Sequence, residues 1–329
     1  MLTYLLTRVV SMLISLVAVS IIAFLIIQLP PGDFIDYLET RSIGTEPQFV
    51  SEEEVEALRA HYGLDRPIYV QYFKWASRIV FYGDFGMAFL WDQPVIHLIR
   101  ERLPFTMIVA ISTLLFAYVV AIPIGVYSAT HQYSIGDYTA TVFGFIGLAI
   151  PNFLLALILI VLMFRIFGIN PSGLFSPEME DAAWSLAKVV DMINHLWIPM
   201  IVIGTAGTAA IIRVLRGVLL DELGNQYVVT ARAKGMAERA LVFKYPVRVA
   251  LNPIVSTIGW RLPQIVSGTT ITAVVLNLPT LGPMLLVALE SQDMFLAGAI
   301  ILLLTILVLV GTFVSDILLA ALDPRIRLT

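Results

Sequence analysis

Few side chains in this sequence have the types and spacing that chemistry requires. No cysteine is present, which excludes thiol catalysis, thiolate metal sites and disulfides. The four histidines (His61, His97, His131 and His195) are scattered and form no HExxH zinc motif. The nucleotide-binding motif GxxxxGK[ST] is also absent. The residues therefore predict a chain without metal-centred or ATP-hydrolysing chemistry of its own.

The most distinctive ionisable residue is Arg261, which interrupts the otherwise apolar segment Val249–Leu289. At ~1.5 Å per helical residue it lies about 18 Å beyond Val249, inside a membrane. A charge within a span is costly and marks a functional candidate. One interpretation is that Arg261 and Gln264 line a path and contact an anionic or polyhydroxyl substrate. The other is a structural role, through a buried pair with Asp316 or a snorkelling stem.

A second distinctive stretch is basic and has a glycine at its centre: VVTARAKGMAERALVFKYPVRVALNP, Val228–Pro253. Asp221–Lys234 and Met236–Tyr245 are both compatible with helix. Gly235 between them can adopt positive φ and form a corner. The pattern predicts a short amphipathic hairpin. Three roles remain open on physical grounds: an interfacial helix on anionic lipid, a solvated connection, or a helix that inserts into a partner's groove.

The elements that must position these residues are membrane spans. The 329 residues are 59% hydrophobic and 13% charged, with a mean hydropathy of +0.89, which indicates an integral membrane protein. A span needs about 20 apolar residues. Six segments qualify, the fifth as one span with a partial re-entry: Val9–Ile27, Leu103–Thr130, Tyr138–Phe164, Leu196–Ile212, Val249–Leu289 and Met294–Ser315. The first follows Arg8 without a cleavage site and is interpreted as a retained signal anchor.

Orientation follows from the basic residues in short loops. Arg213–Arg248 carries seven Lys and Arg against three Asp and Glu. Six spans place this segment on the same side as Arg8 and the tail residues Arg325 and Arg327. We therefore expect both termini and the hairpin in the cytoplasm.

The long polar segment 31–102 is expected outside the membrane as a small, mostly helical cap. Ser51 and Glu54 form a capping-box pattern for one short helix. A second helix is expected to start near Pro67 and to end in the turn Tyr82–Gly86. The cap is either a structural lid or a docking surface for an external partner.

Several of these stretches together resemble the permease subunits of the dipeptide/oligopeptide family of ABC importers. Glu222–Gly224 followed by Tyr227–Met236 resembles the EAA loop of such permeases. The other matching pieces occur in order along the chain: Pro31–Asp33, Tyr62–Pro67, Tyr69–Tyr72, Gly83–Gly86, Leu281–Gly282 and Leu322–Arg327. The resemblance covers nearly the whole chain and points to the first of two paired permeases.

The resemblance implies the fold of a type I ABC importer permease, all-α with six transmembrane helices, in a bacterial or archaeal cytoplasmic membrane. It implies that this chain is not an enzyme and holds no cofactor, since ATP and Mg are bound by two cytoplasmic ATPase subunits. The other implied partners are a second homologous permease, an extracytoplasmic solute-binding protein and the lipid bilayer, without nucleic acid. The loop at 221–249 would be the element that couples transport to ATP hydrolysis. Its candidate residues are Glu222, Gly224, Tyr227, Thr230, Ala231, Arg232, Lys234, Gly235, Glu238 and Arg239. Ala231 would allow close approach to the ATPase.

The expected domain boundaries are a first helix over 1–30, an extracytoplasmic segment over 31–102, a five-helix core over 103–320 and a tail over 321–329. The substrate is expected to be a peptide or a related solute, such as an oligosaccharide, opine, glutathione or nickel chelate. A secondary transporter without ATPases is the alternative function.

Four departures from the family pattern separate this chain from its relatives. Pro246 is expected to end the second short helix one turn early. Arg261 and Ala273 stand where the family often has Gln and Glu, and Pro283 replaces a common Arg.

Overall fold

A computed structural model of the chain describes residues 2–28 and 66–322. Within these residues, the regular secondary structure is helical apart from one two-residue antiparallel hairpin, β1 (Met87–Ala88) with β2 (Gln93–Pro94). The helices are α1 (Leu2–Gln28), α2 (Ile68–Tyr82), α3 (Val95–Thr130), α4 (Ile135–Ala149), α5 (Asn152–Phe167), α6 (Pro177–Glu180), α7 (Leu186–Leu223), α8 (Gln226–Ala233), α9 (Glu238–Lys244), α10 (Pro246–Ala250), α11 (Asn252–Ser256), α12 (Ile258–Gly268), α13 (Thr270–Val275), α14 (Leu281–Glu290) and α15 (Met294–Leu322).

Among the described residues, four helices are long and apolar enough to cross a membrane: α1, α3, α7 and α15. The pair α4 and α5 passes the same test when taken together. Five of the six predicted spans therefore correspond to long apolar helices or to this pair. The predicted fifth span, Val249–Leu289, is divided among the shorter helices from α10 to α14.

The segment Tyr138–Phe164, which the sequence predicts as one span, is bent by 103° between α4 and α5. Pro151 causes this break, because it lacks an amide hydrogen and disfavours helical angles in the residue before it. Ile150 accordingly has an extended conformation (φ −85°, ψ 121°), and α5 begins at Asn152.

Prolines also divide the segment 246–268. Pro246 starts α10, and Pro253 lies in the first turn of α11. The linking residues Leu251 and Thr257 keep right-handed helical angles, and Val255 N–H still donates to Leu251 O at 2.9 Å. The segment is thus a helix with local interruptions where proline cannot donate a hydrogen bond.

The chain divides into two compact units. The first comprises residues 1–105 and 280–306, and the second comprises 106–279 and 307–329. Each has its own apolar core, described separately below.

In the first unit, α2 packs on α1 through aromatic contacts. The Phe24 ring lies 5.5 Å from Tyr72, edge to face, and 5.6 Å from Trp75. Ser20 Oγ and the Tyr72 hydroxyl are hydrogen-bonded at 2.8 Å. The core continues to buried residues of α14 and α15, among them Leu281 and Ile300.

The helix α2 confirms the sequence expectation for its region. It starts directly after Pro67 and ends at Gly83, whose φ of +64° favours glycine. The capping-box helix predicted around Ser51 and Glu54 lies outside the described residues.

A buried carboxylate joins two elements of the first unit. Asp293 precedes α15 and accepts from the backbone N–H of Leu296 at 3.0 Å, within the first turn of that helix. It also accepts from Phe89 N–H at 2.6 Å, beside the β hairpin. The hydrogen bonds anchor the hairpin to the start of α15.

In the second unit, α7 packs against α4, α5 and α10. A buried ion pair fixes α4 to α7: Arg216 Nε and Nη2 each donate to an oxygen of Asp137 at 2.8 Å. Asp137 is only 2% exposed and also accepts from the N–H of Tyr133. A paired and hydrogen-bonded charge of this kind is tolerated in an interior, whereas a single one is costly.

Candidate functional site

The predicted hairpin loop is present in the second unit as α8 and α9. Gly235 lies between them with φ +78°, and its N–H donates to Arg232 O at 3.0 Å. A Cβ added at Gly235 would meet nothing within 4 Å. The position therefore favours glycine through its backbone conformation, as the sequence predicts, and not through crowding.

One face of this loop is buried in the unit's own core. Val228 and Leu241 are fully buried, and Val242 is nearly so. They belong to the same cluster as Leu215 and Leu219 of α7. The loop is thus anchored to the last turns of the long helix α7. An apolar pattern at 228, 231, 241 and 242 is the sequence signal for this anchor.

Ala231 lies on this buried face and is 9% exposed. Its small side chain packs against the chain's own core and lets α8 approach α7 closely. The close approach to an ATPase that the family resemblance implies for Ala231 stays a prediction.

The opposite face of the loop is exposed and polar. Arg232 Nε donates to Glu238 at 2.9 Å, so an ion pair bridges α8 and α9 across Gly235. This hydrogen bond lowers the pKa of Glu238 and raises the pKa of Arg232 from their ordinary values. Both side chains are exposed, so the pair contributes little to stability. It joins the two short helices across the Gly235 corner.

A second contact closes the start of the loop. The Tyr227 hydroxyl donates to Glu222, and Asn225 Nδ2 donates to the same carboxylate at 3.0 Å. Partial burial, followed by the bond to Glu222, raises the pKa of Tyr227 to about 12. The structure therefore brings Glu222 together with Tyr227, and Arg232 together with Glu238. The other candidate loop residues are exposed at the surface: Gly224, Thr230, Lys234 and Arg239.

Pro246 has the effect that the sequence predicts. The helix α9 ends at Lys244, and Pro246 occupies the first turn of α10. It is buried in the second unit and directs the chain from the loop into the interrupted helical segment.

The other two candidate residues, Arg261 and Gln264, line one cavity of about 290 Å³ in the second unit. Arg261 Nε donates to the Thr257 hydroxyl at 3.1 Å. Thr257 is in turn hydrogen-bonded to the Tyr118 hydroxyl at 3.1 Å. Through Thr257, these contacts connect Arg261 Nε to Tyr118 of α3. They restrict the orientation of the Arg261 side chain.

The remaining polar groups of this cavity are not among the residues predicted from sequence patterns. They are Thr113 and Tyr118 of α3, Asn152 at the first position of α5, and Thr269. Thr113 is 1% exposed, and among the described residues its hydroxyl has no hydrogen-bond partner. Threonines in apolar segments usually bond to their own helix, so no sequence signal distinguishes this one.

A larger cavity of about 600 Å³ lies between α3, α4 and α7. Its lining is mostly apolar and includes Phe116, Phe143 and Ile212. None of the candidate coupling or path residues lines it.

Comparison with known proteins shows which protein family this chain belongs to. The sequence profile described as "Binding-protein-dependent transport system inner membrane component" matches residues 121–328, which is more than half of the chain. The chain belongs to this family. A second profile, "Binding-prot-dependent transport system membrane comp, N-term", matches residues 1–110 of the permease.

Curated relatives align with the permease over nearly its full length. It is 35% identical to the oligopeptide transport system permease protein AppB of Bacillus subtilis, over 99% of this chain and 100% of the relative. It is 29% identical to the dipeptide transport system permease protein DppB of Escherichia coli K12, over 99% of each chain. It is 28% identical to DppB of Lactococcus lactis, over the whole of both chains.

Family membership fixes the general role of the permease. It is a multi-pass inner membrane component of an ABC importer, which works with a binding protein and with ATPase subunits that carry out ATP hydrolysis. The alternative of a secondary transporter is excluded. Within residues 2–28 and 66–322, no group of three His, Cys, Asp or Glu side chains is placed to hold a metal ion.

Proposed function

We propose that the permease forms one half of the path by which a binding-protein-dependent importer carries peptides into a bacterial or archaeal cell. The other half is a second homologous permease, and two ATPases bind on the cytoplasmic side. The names of the full-length relatives, which are oligopeptide and dipeptide permeases, support the peptide class. The basic charge of Arg213–Arg248 supports a cytoplasmic position for the loop and for both termini.

The observation that carries this proposal is the two-faced loop at 221–249. Its apolar face is buried against α7, and its polar face is exposed around Gly235. A partner that seats on the exposed face moves α8 and α9, and the buried face passes the movement to α7. The exposed Thr230, Arg232, Lys234, Glu238 and Arg239 form the contact surface, where rim charges add specificity more than affinity.

The cavity lined by Arg261 and Gln264 is the part of the path that this chain contributes. It combines apolar side chains of α3 and α7 with polar groups from α3, α5 and α12. Small-molecule sites commonly have this combination of apolar lining and a few polar groups.

Gly235→Val tests the coupling role. A β-branched residue at φ +78° is strained by about 1–2 kcal/mol, which distorts the corner without a steric clash. We expect the variant to insert and assemble, but to lose most substrate-stimulated ATPase activity of the reconstituted importer.

Two matched variants control for other effects. Gly217→Val lies in α7 without positive φ and with open space around it, so it should keep stimulation. Gly235→Asn should keep much of it, because asparagine tolerates the left-handed region. Normal stimulated ATPase activity in Gly235→Val would contradict the coupling role.

A further inference from the structure

The cavity around Arg261 has the charge and donor pattern of an anion site. Its described lining residues include one cation, Arg261, and no Asp or Glu. The polar groups beside it are hydroxyls and amides: Thr113, Tyr118, Asn152, Gln264 and Thr269. The Tyr118 and Thr269 hydroxyls donate to the carbonyls of Ile254 and Ile265, so the donors offered to an anion are the amides of Asn152 and Gln264 and the Thr113 hydroxyl. The guanidinium can bind a carboxylate through two parallel hydrogen bonds.

The guanidinium is positioned before any ligand binds. Its Nε is held by Thr257, and its Nη1 approaches the backbone of Gly207 in α7, where an added Cβ would lie 3.3 Å away. A side chain that is held in one direction loses less conformational entropy on binding than a mobile one.

Two further features belong to the lining of the same cavity. The buried Thr113 hydroxyl lacks a partner among the described residues, which is costly unless a ligand or water satisfies it. The 16-residue helix α5 starts at Asn152, so its positive N-terminal end also lies in the lining. Neither feature alone makes a site. The N-terminal end of α5 favours an anion, as Arg261 does, and the Thr113 hydroxyl can donate a hydrogen bond to one.

The size of the cavity limits what it can hold. About 290 Å³ is near the lower end of small-molecule sites, which begin at about 300 Å³. It can accept the end of a peptide but not a long chain. Leu114, Ile203 and Ile265 provide an apolar surface beside the polar groups.

We propose that this cavity is a carboxylate subsite of the translocation path, in which Arg261, with Gln264 and Thr113, binds the C-terminal carboxylate of a passing peptide. The proposal rests on the proposed function of the permease in peptide import. Binding in a path must be weak enough for release, so the subsite orders the peptide in transit and is not a storage site.

The test compares a dipeptide with its C-terminal amide in proteoliposomes that contain the whole importer, its binding protein and ATP. The peptide pair is chosen so that the binding protein loads both members. The measured quantity is the uptake rate of each variant divided by that of the wild type, taken separately for acid and amide, so that the preference of the binding protein cancels.

For Arg261→Gln, we expect import of the free acid to fall about tenfold while import of the amide changes little, since only the acid forms an ion pair with the guanidinium. Arg261→Lys should fall between the wild type and Gln, because it keeps the charge without the planar fork. An equal loss for acid and amide would show a structural role for Arg261. Unchanged uptake of both would also overturn the subsite.

Gly207→Ala is a second test of the carboxylate subsite. Its Cβ would lie 3.3 Å from Arg261 Nη1, so the guanidinium must shift by a few tenths of an ångström, and uptake of the acid should fall more than uptake of the amide. Gly217→Ala on the same helix, in open space, is the control. If the wild-type complex imports neither peptide, the proposed function fails. If it imports both and no variant separates acid from amide, only the subsite fails.

Discussion

At the scale of single residues, buried charges in this permease have partners that define their roles. Asp137 is paired with Arg216, and Asp293 accepts backbone N–H groups from two elements. Arg261 is held by a hydroxyl beside a cavity. The first two arrangements satisfy a charge within the protein and are structural. The third places a cation in the lining of a cavity of about 290 Å³, and on this position we propose a role for it in transport.

Asp293 leads to a prediction about pH. Burial raises its pKa from 3.8 to about 6, although its backbone hydrogen bonds act in the opposite direction. The native protein then binds more protons than the unfolded chain between these values, so stability falls as pH rises from about 4 to about 6, by up to about 3 kcal/mol. The thermal midpoint of the purified permease, followed from pH 4 to pH 7, measures this dependence.

Asp293→Asn is the matched control, because it removes the titrating group and keeps one acceptor for Phe89 or Leu296. Its midpoint should vary less over the same pH range. An unchanged slope in the variant would assign the pH dependence to other groups.

At the scale of elements, close helix contacts in the second unit depend on small residues. At Gly259 of α12, an added Cβ would lie 2.5 Å from the Cα of Thr312 and 2.7 Å from its backbone nitrogen in α15. The obstacle is backbone, which cannot rotate away. The two helices therefore approach as closely as their main chains permit.

Gly259→Ala should destabilise the permease by about 1–3 kcal/mol, the usual cost of overpacking. The measurement is the thermal midpoint of the detergent-solubilised protein. Gly217→Ala adds the same methyl group in open space and should leave the midpoint unchanged or slightly raised. Equal midpoints for the two variants would show that α12 and α15 can move apart to accommodate the methyl group without a loss of stability.

At the scale of the whole molecule, orientation is a direct prediction. The natural chain has no cysteine, so single cysteines can report sidedness without background. Ala233→Cys and Ala183→Cys both place the thiol at exposed positions of the second unit. In intact cells, a membrane-impermeant maleimide should label Cys at 183 and leave Cys at 233 unlabelled until the membrane is opened. Labelling of both cysteines from outside the cell would contradict the proposed cytoplasmic position of the loop.

Sequence patterns predicted much of the fold, because long apolar runs and a glycine corner are local properties. The corner at Gly235, the helix after Pro67 and the end of the second short helix at Pro246 are all found. The break at Pro151 had a local signal too, but an apolar run does not show whether proline bends a span or interrupts it.

The unpredicted features depend on contacts between distant residues. Ala231 turned inward because Val228 and Leu241 pack on the same core. Hydropathy alone does not specify which face of a short helix is buried. The partners of Arg261 are likewise set by how α3 and α7 pack beside α12.

The ion pair between α4 and α7 also has a consequence for how the chain is made. Asp137 leaves the ribosome 79 residues before Arg216, the residue that neutralises it in the finished protein. Burial of a lone carboxylate is costly, so α4 cannot take its final packed position until Arg216 has been synthesised. The packing of α4 in this part of the permease can therefore be completed only after α7 has been synthesised.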